Sequence, residues 1–342
     1  MKKLLSLIFI IGLCIFGLCG CQNSKVTYKD PTTGEEKELK IEKTTDEAEV
    51  ADSLYAVALS ETPVKEVSTT SAKLTFKVNV SGKDETGKDQ KIDVKGSIEL
   101  NESFDKDAKL ETTLDVLKAV AFNAKVELSG TIPNENGEEQ KFAKSTIELF
   151  LEEGVAYAKI NLDAKLVSFI GSEDAYTGGI IQLVNEKILK LDLSTLVAAE
   201  ALTAEQKAEL ESVLEGKNSK SIKQLLEENG VELGEFKAQI EALVKEYGLT
   251  ISKVKGGKVT FSADFSKKAF VNSESKLTAD VTINVADVSF AGASVKAEIK
   301  EKDAQGTVEA SLEVKYKGKV AKISNADKEK AIDAMTLMNG LK

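Results

Sequence analysis

The chain has 342 residues, a formal net charge of −10, and no His, Trp or Arg. Without His there is no Ser-His-Asp or Cys-His catalysis and no Cys/His zinc site, and without Arg there is no bidentate clamp on phosphate or carboxylate. An acidic chain with 6% aromatic residues is poorly matched to nucleic acid, by charge and by stacking alike.

The N-terminus is organised as an export signal. Lys2 and Lys3 precede an uncharged run, Leu4–Leu18. At about 15 residues this run falls short of the roughly 20 that a membrane-spanning helix needs, and it suits the core of a signal peptide. Leu18-Cys19-Gly20-Cys21 follows. The chain's cysteines are Cys14, Cys19 and Cys21, so nothing beyond Cys21 can form a disulfide, and stability there must come from a packed core. About 320 residues follow the signal, enough for one large domain or two ordinary ones.

The four residues ending at Cys21 resemble the lipobox of bacterial lipoproteins. Cys19 stands where that family more often has Ala, Ser or Thr. The resemblance implies cleavage between Gly20 and Cys21, diacylglycerol on the Cys21 thiol, and attachment to the extracytoplasmic face of the cell membrane. Loss of Lys2 and Lys3 would take the net charge to −12. Such a surface is repelled by anionic headgroups, so the lipid is expected to do the membrane binding.

Residues 21–45 read as a lipidated N-terminus and polar tether, or as a short hairpin pairing Val26 and Tyr28 with Leu39 and Ile41 around Asp30-Pro31-Thr32-Thr33-Gly34. A helix is expected from Asp46 to Leu59, with Thr44 and Glu47 as a capping box. From Ser71 the apolar period becomes two: Leu74, Phe76, Val78 and Val80, then Ile92, Val94, Ile98 and Leu100, then Leu110, Thr112 and Leu114, then Phe122 to Ile132. Asn136-Gly137 marks a hairpin. Ile147, Leu149 and Leu151 continue the pattern, and Glu153-Gly154 turns into Val155 and Tyr157.

The middle of the chain reads as helical. One helix is expected over Ile180–Leu189, one capped by Thr203 and Gln206, one around Ile222, Leu225 and Leu226, and one from Phe236 to Tyr247 stopped by Gly248. Strands resume after Gly256-Gly257 with Val259 to Phe265, then Leu277 to Ile283, then Val295 to Ile299. Those are expected to turn at Gln305-Gly306 into Val308 to Val314, with Val320 and Ile323 beyond Lys317-Gly318. A last helix is expected from Asn325 to Asn339, with Ile332, Met335 and Met338 inward.

This order predicts an α+β fold. A large curved antiparallel β-sheet, one face apolar and one polar, would carry a central helical block on one face, with residues 46–342 as a single domain. Strict strand-helix alternation, which a doubly wound fold needs, is absent. An antiparallel sheet interrupted by helices on a lipoprotein resembles the LolA/LppX-like half-barrel group, and Ile147–Lys165 looks like the strand-turn-strand of uncharacterised Gram-positive lipoproteins. The resemblance is one of architecture and implies acyl chains held between sheet and helices. The expected function is therefore non-catalytic binding of a lipid or other hydrophobic ligand; the alternative is a structural lipoprotein that meets an envelope protein partner. No catalytic residue, cofactor or metal ligand is assigned. The acidic turns Ser81–Gln90 and Asn134–Gln140 lack EF-hand spacing and read as solvated hairpin tips.

Overall fold

The computed structural model describes residues 25–29, 35–60, 69–83, 87–105, 107–134, 136–197, 199–214, 230, 232–270, 274–285, 289–315 and 319–339. The first elements are β1 (Lys25–Lys29), β2 (Glu36–Lys40), α1 (Glu47–Leu59), β3 (Thr69–Lys83), β4 (Asp89–Phe104), α2 (Thr113–Ala119), β5 (Val120–Pro133), β6 (Glu139–Glu152) and β7 (Val155–Asn161). Next come α3 (Ala164–Glu173), α4 (Ala175–Val184), β8 (Ile188–Asp192), α5 (Ala204–Leu214), α6 (Leu233–Tyr247), β9 (Thr250–Lys255), β10 (Lys258–Asp264) and α7 (Ser266–Ala269). The chain closes with β11 (Lys276–Asn284), β12 (Ser289–Lys300), β13 (Ala304–Lys315), α8 (Asn325–Lys330), β14 (Ile332–Asp333) and α9 (Ala334–Asn339). The α+β class holds.

The chain divides into two compact units. Of the described residues, unit 1 takes those within 25–67, 210–272 and 276–296, and unit 2 those within 68–209, 273–275 and 297–339. The helical block is accordingly divided: α3 and α4 belong to unit 2, and α6 belongs to unit 1.

In unit 1, β1 and β2 pair antiparallel with Val26 opposite Leu39. Val26 and Ile41 are each 1% exposed, so of the two sequence alternatives this stretch is the hairpin, built into the core. The α1 cap sits two residues later than expected: the Asp46 carboxylate accepts the N–H groups of Ala48 and Glu49, both at 3.0 Å, and Thr44 Oγ1 accepts the Asp46 N–H. Strands run in the order β12, β11, β10, β9. Their inward Ile251, Val259, Phe261 and Ile283 pack with Val50 and Leu59 of α1 and Phe236, Ile240 and Val244 of α6. Gly248, at φ 58°, ends α6 as the sequence indicated. Strand β9 is absent from the expected set because its alternation is broken by an irregularity against β10 between Thr260 and Phe261. Phe265 lies beyond β10, its ring 5.5 Å from that of Tyr247. The helix expected around Ile222, Leu225 and Leu226 lies outside the described residues.

Unit 2 is built on long strands in the order β14, β8, β7, β6, β5, β4, β3, β13. All neighbours pair antiparallel except β14, which runs parallel to β8. Consecutive positive φ at Glu153 (53°) and Gly154 (82°) make the tight β6–β7 turn. Five expectations are corrected here. Thr112 is no strand residue: its hydroxyl and Asp115 form the capping box of α2, a local pairing that outweighs two flanking leucines. Helix α4 stops at Val184, and Glu186 at φ 61° turns the chain so that Ile188 and Leu189 enter β8. The β12–β13 turn comes before Ala304, because Gly306 is inside β13, facing Val80. Residues 325–339 form two short helices separated by β14, with Ile332 and Met335 exposed, and 319–324 form no strand although Ile323 is buried.

Candidate functional site

The strand registers of unit 2 place apolar side chains in transverse rows. One row is Leu312, Leu74, Ile98, Val126, Ile147 and Ile160. The next is Val314, Ala72, Leu100, Ala124, Leu149, Ala158, Leu189 and Ile332, with small and large residues alternating from Ala72 to Leu189. Side chains two apart along a strand share a face, so these rows form one apolar surface.

Helix α3 covers one end of that surface. Leu166, Phe169 and Ile170 pack there with Val94, Leu128, Ile132 and Phe142. An extra residue in β6 makes this possible: Leu128 faces Ser145, yet Gly130 faces Phe142, so Ala143 and Lys144 together occupy one step of the ladder. The bulge leaves the Ala143 N–H unpaired in the ladder, and it donates to Asp163 Oδ2 at 3.0 Å. Asp163 caps α3 through Oδ1 to the Lys165 N–H at 2.9 Å, and its own N–H donates to Ser145 Oγ at 2.9 Å. The Ala143 and Lys165 N–H groups hold the Asp163 carboxyl below the usual carboxylate range.

The rest of the surface is open. Leu100, Leu149 and Ile332, all in one row, are each 41% exposed. Leu74, Ile98, Val126, Ile147 and Leu312 in the adjacent row are half-buried. Gly96 lets two side chains lean together: a Cβ there would stand 2.5 Å from Phe76 Cζ and 2.7 Å from Leu128 Cδ2.

The opposite face is polar and ordered by charge. Glu313, Lys73, Glu99, Lys125, Glu148 and Lys159 form a row of alternating sign across six strands. Lys125 and Lys144 reach Glu127 at 2.8 and 2.6 Å and hold its pKa at about 2. The segment before α8 and α8 itself dock on this sheet: the Ala321 N–H donates to Asn123 Oδ1 at 2.8 Å, and Lys159 pairs Asp327 of α8 at 3.0 Å. Burial pushes the Glu152 carboxyl up, but Lys328 at 2.8 Å and Lys322 at 3.4 Å outweigh that and keep it low.

At the hairpin tips of unit 2 lies an open cleft of about 470 Å³ lined by Ser81–Lys83, Asp89–Lys91, Gly137, Glu139 and Lys302–Gln305. Residues 81–83, 89 and 90 of the first acidic turn and Gly137 and Glu139 of the second thus border one depression. Sequence reading missed this, because the third tip, at 302–305, comes from more than 160 residues away along the chain.

Gly20 and Cys21, the predicted cleavage and lipidation residues, lie outside the described residues, as does all of the predicted signal. Among the described residues no helix is long and apolar enough to cross a membrane, and no group of three or more Asp, Glu, His or Cys could hold a metal ion. No family model matches the chain, and no curated protein matches it. Among solved structures, that of DynF from the dynemicin biosynthesis pathway of Micromonospora chersina aligns with 74% of this chain and 82% of that one, at 10% identity and a TM-score of 0.15. A score that low carries no argument about fold or function.

Proposed function

We propose that this protein is a lipoprotein anchored through Cys21 on the extracytoplasmic face of the cell membrane, and that it binds a lipid or other hydrophobic ligand without catalysing a reaction. The open part of the unit 2 apolar face is the observation that carries this reading. Six strands spaced about 4.8 Å apart and two residue rows, each about 7 Å deep, make an area of roughly 25 by 15 Å. An exposed apolar patch of a few hundred Å² on one molecule commonly marks a binding surface. A stable protein partner would bury about 800 Å² on each side, so the patch is matched to a smaller occupant. On this reading the sheet is the wall of a half-barrel, with α3 closing one end and the alternation from Ala72 to Leu189 providing shallow grooves between leucine ridges for extended acyl chains.

Two experiments test the two halves of the proposal. Native mass spectrometry of the mature protein after gentle detergent extraction is expected to show co-purifying lipid; folded protein that repeatedly appears bare overturns ligand binding. Replacing Cys21→Ser is expected to abolish metabolic lipid labelling and signal cleavage, and persistent labelling overturns the anchor.

A further inference from the structure

Three residues, Gln22, Asn23 and Ser24, separate Cys21 from β1. Four Cα steps, fully extended, reach at most about 14 Å. A free chain over residues 21–45 would reach about 80 Å by the same count. Which reach applies depends on how firmly the β1–β2 hairpin is fixed.

Val26 is 1% exposed and belongs to the unit 1 core with Ile41, Val50 and Leu59. Every β1 residue pairs with β2, and Tyr28 also bridges Ser60. Thr44, just beyond the hairpin, exchanges backbone hydrogen bonds with Ile251 of β9 at 3.1 and 2.9 Å. Peeling β1 off would put a buried valine into water and leave ladder groups unpaired, so β1 does not lengthen the leash. Lys25 faces Lys40, and opposed strand residues lie about 5 Å apart. Lys40 therefore stays within about 20 Å of Cys21.

We infer that unit 1 is seated directly on the membrane leaflet that takes the Cys21 acyl chains, with the Lys25–Lys40 end of the β1–β2 hairpin at the lipid headgroups. This rests on the lipid anchor proposed above, which holds Cys21 at the bilayer surface. The headgroup layer itself is the partner. A small protein domain is about 30 Å across, and a leash of at most about 14 Å leaves no room for one beneath this end. Lys40, Glu42 and Lys43 are exposed here, a polar surface suited to headgroups and not to the hydrocarbon interior.

The test uses the lipidated mature protein in phosphatidylcholine vesicles doped with a headgroup-nitroxide lipid. Signal cleavage removes Cys14 and Cys19, so Lys40→Cys supplies a free thiol for a fluorophore at an exposed position. Strong quenching by the nitroxide is expected. Inserting about 20 Gly/Ser residues between Ser24 and Lys25 adds roughly 25 Å of average reach and is expected to cut the quenching about threefold. Vesicle-bound protein whose label is unquenched, or is quenched equally with and without the insertion, overturns the seating and leaves the anchor standing. Intact mass of the same preparation reports the anchor separately: a mature chain without diacylglycerol on Cys21 removes the anchor, and the seating with it.

Discussion

If the upper rows of the unit 2 sheet are a binding surface, truncating them must cost far less stability than truncating the covered end. Leu149→Ala and Phe142→Ala test this on one strand. Leu149 is 41% exposed and Phe142 is 1% exposed. Leu149→Ala removes three carbons, worth about 0.8 kcal/mol each when fully buried. With roughly three-fifths of the side chain covered, the loss is about 1.4 kcal/mol, and water fills the gap without leaving a cavity. Phe142→Ala empties the site beneath Leu166, Phe169 and Ile170, where a cavity remains, and such changes cost about 3–5 kcal/mol. A chain with two compact units need not unfold in one step, and one melting curve would then mix them. Hydrogen exchange of the β5 and β6 amides reads unit 2 alone. A Leu149→Ala loss equal to that of Phe142→Ala would mean that the row is filled core, and the ligand proposal would fall with it.

Two further outcomes follow from the same sheet. Glu127 titrates at about 2, against 4.5 for the free group. A depressed carboxylate contributes stability that is complete above pH 4.5 and is lost as pH falls from 4.5 through 2. The shift alone would give about 3 kcal/mol, but the side chain is 30% exposed and screened, so roughly 1 kcal/mol is expected. Glu127→Gln should lose that part of the acid dependence of unit 2 exchange, and an unaltered dependence would refute the assignment. Gly96→Ala should destabilise β4 by about 1–3 kcal/mol in urea-dependent exchange, because its Cβ would lie 2.7 Å from the Glu127 carbonyl, which cannot move away as a side chain can. A neutral result would show that the strands can part there.

The sequence made the local decisions of this fold readable where one signal acted alone. Period-two alternation found β3 to β7 and β10 to β13, and glycine in the left-handed region found the end of α6 and the β9–β10 turn. Misreadings arose where two signals competed. Leu110, Thr112 and Leu114 alternate like a strand, yet Thr112 and Asp115 cap a helix. Ile180–Leu189 is uniformly apolar, and period alone cannot divide such a run into the end of a helix and the start of a strand. The apolar stripes were visible residue by residue, but their exposure was not. Which rows α3 covers depends on register, on the bulge at Ala143 and on Asp163, and none of these leaves a periodic trace.

The bulge in β6 also determines where this strand can change length during evolution. Elsewhere in β6, a one-residue insertion would shift everything on one side by half a pleat. Thr146 and Glu148 would then take the places of Ile147 and Leu149, and the apolar surface would become charged. At Ala143–Lys144 the extra residue is already absorbed, with Phe142 and Ile147 on the same side. Removing it would return the ladder to regular pairing without exchanging the faces, at the expense of the N–H that holds Asp163. The hairpin tips and the sheet body are thereby uncoupled as targets of variation: the tips can lengthen or shorten while the rows beyond Ser145 keep their phase.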